Sequence, residues 1–181
     1  MKSKLMLFIM LAFFVTEAQN KNNFELPVLI TSAGQSADAK LAGVIFKKAG
    51  IQATSKLMAK NEDLNGIKTL VVVPGFSSKG LGAAGISAEE ELARVKALLK
   101  TAADRKIPVL LMHLGGNARR KGQSDNFNKM VGDIAKYMIV VKQGNEDGFF
   151  TDIAKAKNCP MSVVEKMSDA GEPLENLFIK K

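Results

Sequence analysis

Few residues in this chain have the types and spacing that chemistry requires. His113 is the single histidine, and it closes the apolar run at 108–112. A free imidazole titrates near neutral pH, so at a strand mouth it suits a general acid or base. A hydrogen-bonded structural role is the competing assignment. Arg119 and Arg120 follow in HLGGNARRKGQSD, with Gly116 in the same stretch. A guanidinium there can fork onto a carboxylate or phosphate, or pair with Glu146 and Asp147 from the next polar stretch. Ser77, Ser78 and Lys79 open GFSSKGLGAAGIS, residues 75–87. Hydroxyls, free amides and an ammonium suit an oxyanion. Gly34, Gln35 and Ser36 in TSAGQS, and Asn145 in KQGNEDGF, complete the candidate donors.

GLGAAG, residues 80–85, is a literal G-x-G-x-x-G. A dinucleotide fingerprint opens the first βα unit, and a carboxylate ends the next strand about 20 residues on. Here the first turn is SAGQS, with one glycine, and the strand after the motif ends at His113. The expected helix starts beyond the glycines, at Ser87. This is therefore a ligand-wrapping or mobile loop and not a nicotinamide site. No Gly-Lys-Ser/Thr makes a phosphate-binding loop, and no G-x-S-x-G elbow supports a hydrolase triad. One cysteine and one histidine are too few for a zinc site, and no cofactor is implied.

The elements that must position these residues alternate along the chain. Short apolar runs at 27–31, 68–73, 108–112 and 138–141 suit strands buried on both faces. A weaker run at 51–58 reads as an edge strand, and 161–164 as a possible last one. Between them, 38–49 reads as a helix with Leu41, Val44, Ile45 and Lys48 on its stripe. Ser87 and Glu90 form a capping box that starts a helix running to about residue 104, with Leu92, Val95, Leu98, Leu99 and Ala102 inward. Phe127, Met130, Val131 and Ile134 mark another helix; 149–157 and a segment begun by Pro173 are the last two. Strand, loop and helix in repetition give an α/β three-layer sandwich with a mostly parallel, flavodoxin-like or Rossmann-like sheet, order 2-1-3-4-5. In such a sheet the loops at the strands' C-terminal ends share one rim, where ligands bind. All the candidate residues fall on that rim.

The N-terminus is a separate object. MKSK precedes the apolar run LMLFIMLAFFV, which is too short for a comfortable membrane span, and small residues at Thr16 and Ala18 offer a cleavage point. Residues 1–18 read as a secretory signal peptide, 19–25 as a tether and 26–181 as one domain. The mature chain is expected to be secreted or periplasmic, with no membrane span after signal removal. The net charge is +8, but the lysines are scattered and no aromatic platform interleaves them, so nucleic acid is not the expected partner. Cys159 is alone and cannot form an internal disulfide.

PVLITSAGQSAD, LVVVPGFSSKGLGAAGIS with EEELARVKALL, HLGGNARRKGQSD and VVKQGNEDGFFTDIA together resemble a bacterial family of secreted domains of unknown function, DUF6305. The resemblance runs from about residue 25 to 178. It implies a Rossmann-like exported domain with the same glycine-rich loops, and it implies no activity. The expectation is an exported domain that binds a small anionic ligand at the rim. A hydrolase or transferase using His113, and a non-catalytic cell-envelope interaction module, are the alternatives.

Overall fold

The structure, a computed structural model, describes residues 24–178. The expected signal peptide and most of the tether lie outside the described residues. The sheet has six parallel strands: β1 (Val28–Ala33), β2 (Ala53–Ser55), β3 (Thr69–Pro74), β4 (Val109–His113), β5 (Tyr137–Val141) and β6 (Met161–Val164). Their order is β2-β1-β3-β4-β5-β6, the expected order extended by one strand. The β1–β3 pairing is the longest, running in register from Val28 opposite Thr69 to Ala33 opposite Pro74. β2 and β6, the edges, are the short and partly exposed strands. Because every strand is parallel, all their C-terminal ends do share one rim.

Each central strand is buried on both faces, so its side chains feed two cores alternately. Leu29, Leu70, Val72, Leu111, Met138 and Val140 pack beneath α3 (Ala88–Asp104), α4 (Gln123–Gly132) and α5 (Phe149–Lys157). Val28, Ile30, Val71, Val73, Leu110 and Ile139 face α1 (Asp38–Lys48) and α6 (Gly171–Leu177). Phe46 meets Phe178 edge-on, with ring centroids 5.6 Å apart, and so joins α1 to the end of α6. Among the described residues no helix is long and apolar enough to cross a membrane.

Besides Ile134, which lies past the end of α4 and is exposed instead of on its buried stripe, two sequence expectations change. The α1 stripe is rotated: Ala39, Ala42, Ile45 and Phe46 are buried, while Leu41 and Val44 are 41% and 50% exposed. Two alanines let the helix approach the sheet closely, and Phe46 supplies the bulk that the leucine was expected to give. The second change is a helix inside the glycine-rich stretch, α2 (Ser78–Ala84). The Ser77 hydroxyl accepts from the Gly80 N–H and caps its start, and Gly85 closes it in the left-handed conformation at φ 68°. The glycines are therefore mostly helical, not a loose loop. The expected Ser87–Glu90 capping box is present, and α3 follows it.

Candidate functional site

At the rim, the first strand's loop is held by a buried ion pair from α3. The Glu91 side chain is fully buried, and its Oε1 accepts from the Gly34 N–H at 2.8 Å and from Gln35 Nε2 at 3.0 Å. Arg94 bridges both carboxylate oxygens at 2.7 Å and donates to the carbonyls of Ser32 and Ala59. Burying a carboxylate is costly unless its lone pairs are used, and here they are. Gly34 and Gln35 are thereby committed to holding the loop's shape. α2 then lies directly on this loop, because a Cβ at Gly80 would collide with the carbonyl oxygen of Gln35.

Ser36, Asp38 and Arg119 form the next layer. The Ser36 hydroxyl donates to Asp38 Oδ2 at 2.6 Å and accepts from the Asp38 N–H. Arg119 Nε donates to Ser36 Oγ and to Asp38 Oδ2, each at 3.1 Å. The Arg119 stem runs over Gly75 and Gly115, where any Cβ would strike it. Ser36 is buried, whereas the Arg119 side chain keeps 26% of its surface. Nη1 reaches the carbonyls of Phe76 and Ala118 only at 3.5 Å, the outer limit of a hydrogen bond. Nη2 makes no hydrogen bond among the described residues. Lys79 and Lys121 are exposed nearby in sequence, on α2 and just past Arg120, and neither makes an ion pair among the described residues.

Arg120 is spent differently. It bridges Asp125 at 2.8 Å and Asp147 at 2.9 Å, donates to the Gly144 carbonyl, and stacks on the Phe149 ring 4.2 Å from its centroid. It thus clamps the loops after β4 and β5 together. The hydrogen bonds from Arg120, then from the Phe149 N–H, lower the Asp147 carboxyl to about 2.

His113 is fully buried at the end of β4, with its ring 4.7 Å from that of Phe150. Its Nε2 lies 3.1 Å from the Gly116 carbonyl. Among the described residues Nδ1 makes no hydrogen bond of good geometry, and neither does Oδ1 of the buried Asn128, the side chain that faces the imidazole and whose amide donates to the Arg119 carbonyl and to Asp125. Burial pushes the imidazole below its ordinary pKa, against the opposing effects of the Gly116 carbonyl and Asn128.

The remaining candidates divide the same way. Gly116 is buried in a single turn of tight helix at residues 116–119, and its carbonyl serves His113. The Asn145 side chain accepts from the Phe150 and Thr151 N–H groups and donates to the Thr151 hydroxyl, so it caps α5. Ser77 caps α2, while Ser78 stays exposed. Of the candidates, Arg119, Ser78 and Lys79 keep polar groups open to solvent. Glu91, Arg94 and Asp38 were missed by sequence reasoning. One signal was available: Glu91 sits in phase with Val95, Leu98 and Ala102, a charge on the buried stripe. Among the described residues no cluster of His, Cys, Asp and Glu could hold a metal ion. Burial raises the Cys159 thiol to about 11, which leaves it inert.

The fold thus defines a parallel α/β domain whose one rim is a packed layer of polar contacts. The model of the family described as Domain of unknown function (DUF6305) matches residues 25–178, and the chain belongs to that family. No curated protein matches it. Among solved structures, AlinE4, a SGNH-hydrolase family esterase, is similar at 15% identity and a TM-score of 0.30, with 85% of this chain and 82% of that one covered. A GDSL-like lipase from Bacteroides thetaiotaomicron VPI-5482 is similar at 13% identity and a TM-score of 0.36, covering 79% and 69%.

Proposed function

We propose that this is an exported domain that binds a small anionic ligand at the strand C-terminal rim, with Arg119 as its principal contact. The observation that carries this reading is the half-used guanidinium. Nε is fixed by Ser36 and Asp38, so the fork is held in place, while its Nη2 edge makes no hydrogen bond among the described residues. A preorganised planar fork of this kind matches a carboxylate or phosphate oxygen pair. The exposed Lys79 and Ser78 of α2 supply further donors from beyond Phe76, whose carbonyl lies beside Arg119. Asp38 neutralises part of the charge, so the affinity is expected to be modest and salt-sensitive. Export rests on the basic start and apolar run at the N-terminus. A thermal-shift series with inorganic phosphate, dicarboxylates and nucleotides tests the reading. At least one anion should raise the Tm in wild type and not in Arg119→Ala; a flat response across the series counts against it.

A hydrolase or transferase using His113 is the second reading, favoured by a buried Nδ1 that makes no hydrogen bond of good geometry among the described residues. It requires the ring to be reached by substrate. Any turnover found should then vanish in His113→Asn while anion binding persists.

A further inference from the structure

At the opposite end of the sheet, under the strands' N-terminal ends, lies an open groove of about 550 Å³. This is within the usual range of small-molecule sites, about 300–1,000 Å³. Its lining is mixed: Ile107 and Pro108 just before β4, Val109 at its start, and Ile134 from the turn before β5 contribute the apolar side chains. Ile134 is 39% exposed, although most of its class in this chain is buried. Lys68, Lys106 and Lys136 also line it, with Glu25 as the single acidic residue of the lining. All three lysines are exposed, and none of them makes an ion pair among the described residues.

These lysines are not needed to finish the helices that end at this rim. The last carbonyls of α3 already accept from the N–H groups of Arg105, Lys106 and Ile107. Those of α4 accept from Asp133 and Ile134. The walls are also fixed. Glu25 and Thr69 exchange two hydrogen bonds, at 3.0 and 2.7 Å, and the Lys136 N–H donates to the Val109 carbonyl at 2.8 Å. The groove therefore places the partly exposed Ile107, Pro108 and Ile134 beside three lysines that make no ion pair among the described residues, which together match a molecule with an apolar body and an anionic head. A fully charged acidic peptide would leave the apolar side chains of the lining unused, and a bare anion would do the same.

We propose that this groove binds a small anionic amphiphile, its carboxylate among Lys68, Lys106 and Lys136 and its alkyl body over Ile107, Pro108 and Ile134. The site is independent of the rim at Arg119. Dodecanoate below its micelle-forming concentration is the probe, measured by titration calorimetry against acetate, a neutral alkyl maltoside and an acidic decapeptide. The double variant Lys68→Glu/Lys136→Glu should weaken dodecanoate binding tenfold or more, and Ile134→Asp should weaken it separately. All titrations are run in the Arg119→Ala background, so that carboxylate binding at the rim does not contribute. All these positions are exposed or partly exposed, and circular dichroism with Tm verifies that each variant is folded. Three results would overturn the proposal: acetate or the peptide binding as tightly as dodecanoate, dodecanoate binding that ignores the groove variants, or a concentration-dependent dimer that those variants abolish.

Discussion

Arg119 is anchored to Asp38 by a single Nε–Oδ2 contact of 3.1 Å that spans 81 residues of sequence. It ties the loop after β4 to the start of α1 and leaves the far edge of the guanidinium unbonded. Lysine could reproduce neither the Nε contact nor the fork. Arg119→Lys and Arg119→Ala should both weaken anion binding by about tenfold to a hundredfold, the worth of a charge-assisted hydrogen bond of about 1.5–3 kcal/mol. Titration calorimetry with the best anion from the thermal-shift series measures this. An Arg119→Lys variant that binds as well as wild type would reduce the site to a simple point charge.

Glu91 and Arg94 present a different case, because their side chains keep 0% and 11% of their surfaces. Replacing Glu91 with Ala strands the Arg94 guanidinium and removes the acceptor of Gly34 and Gln35. The expected loss is about 3–5 kcal/mol, the usual cost of removing one partner from a buried pair. Chemical denaturation of Glu91→Ala checks it. A loss below about 1 kcal/mol would mean that the pair is solvated and does not hold the loop.

The two glycines inside α2 should respond in opposite directions. At Gly82 an added Cβ meets nothing within 4 Å, so Gly82→Ala should stabilise by up to about 1 kcal/mol through helix propensity. At Gly80 the added Cβ would run into the Gln35 carbonyl, so Gly80→Ala should destabilise by about 1–3 kcal/mol despite the same propensity gain. Paired melting curves decide this. Equal effects would show that α2 does not press on the first loop.

These glycines also show what local sequence conceals. The strands and the Ser87–Glu90 box were legible because each is decided within a few residues. The α2 helix was not, since glycine has poor helix propensity and Gly80 is placed by a contact with residue 35. The same holds at α1, where Leu41 and Val44 look like the buried stripe. The short side chains of Ala39 and Ala42 win because they let the helix backbone come closer to the sheet. At the rim, Gly34, Gln35, Ser77 and Asn145 have the composition of ligand donors, yet their polar groups are largely consumed by Glu91 and by helix caps. Composition locates such a rim; only the long-range partners tell which groups remain free.

Acidification should act through His113 first. Burial lowers its folded pKa below the ordinary 6.5, so the unfolded chain takes up this proton more readily. Its contribution to stability is complete above about pH 6.5 and is lost as pH falls from there toward the folded value. Denaturation midpoints between pH 7.5 and 5 should fall in wild type and run flatter in His113→Asn. Equal slopes would show that the imidazole titrates freely in the folded protein. Asp147 acts in a lower window: its contribution is present above 3.8 and is lost as pH falls through about 2.

Nitrogen-detected NMR of arginine side chains observes the outer edge of the Arg119 guanidinium directly. Titrating inorganic phosphate, and separately succinate, into the labelled protein should shift and sharpen the Arg119 Nη resonances at millimolar concentrations or below. The Arg94 and Arg120 signals should stay in place. Arg119 resonances that do not move with either anion, or that move no more than those of exposed Arg105, would show that Arg119 is not an anion contact.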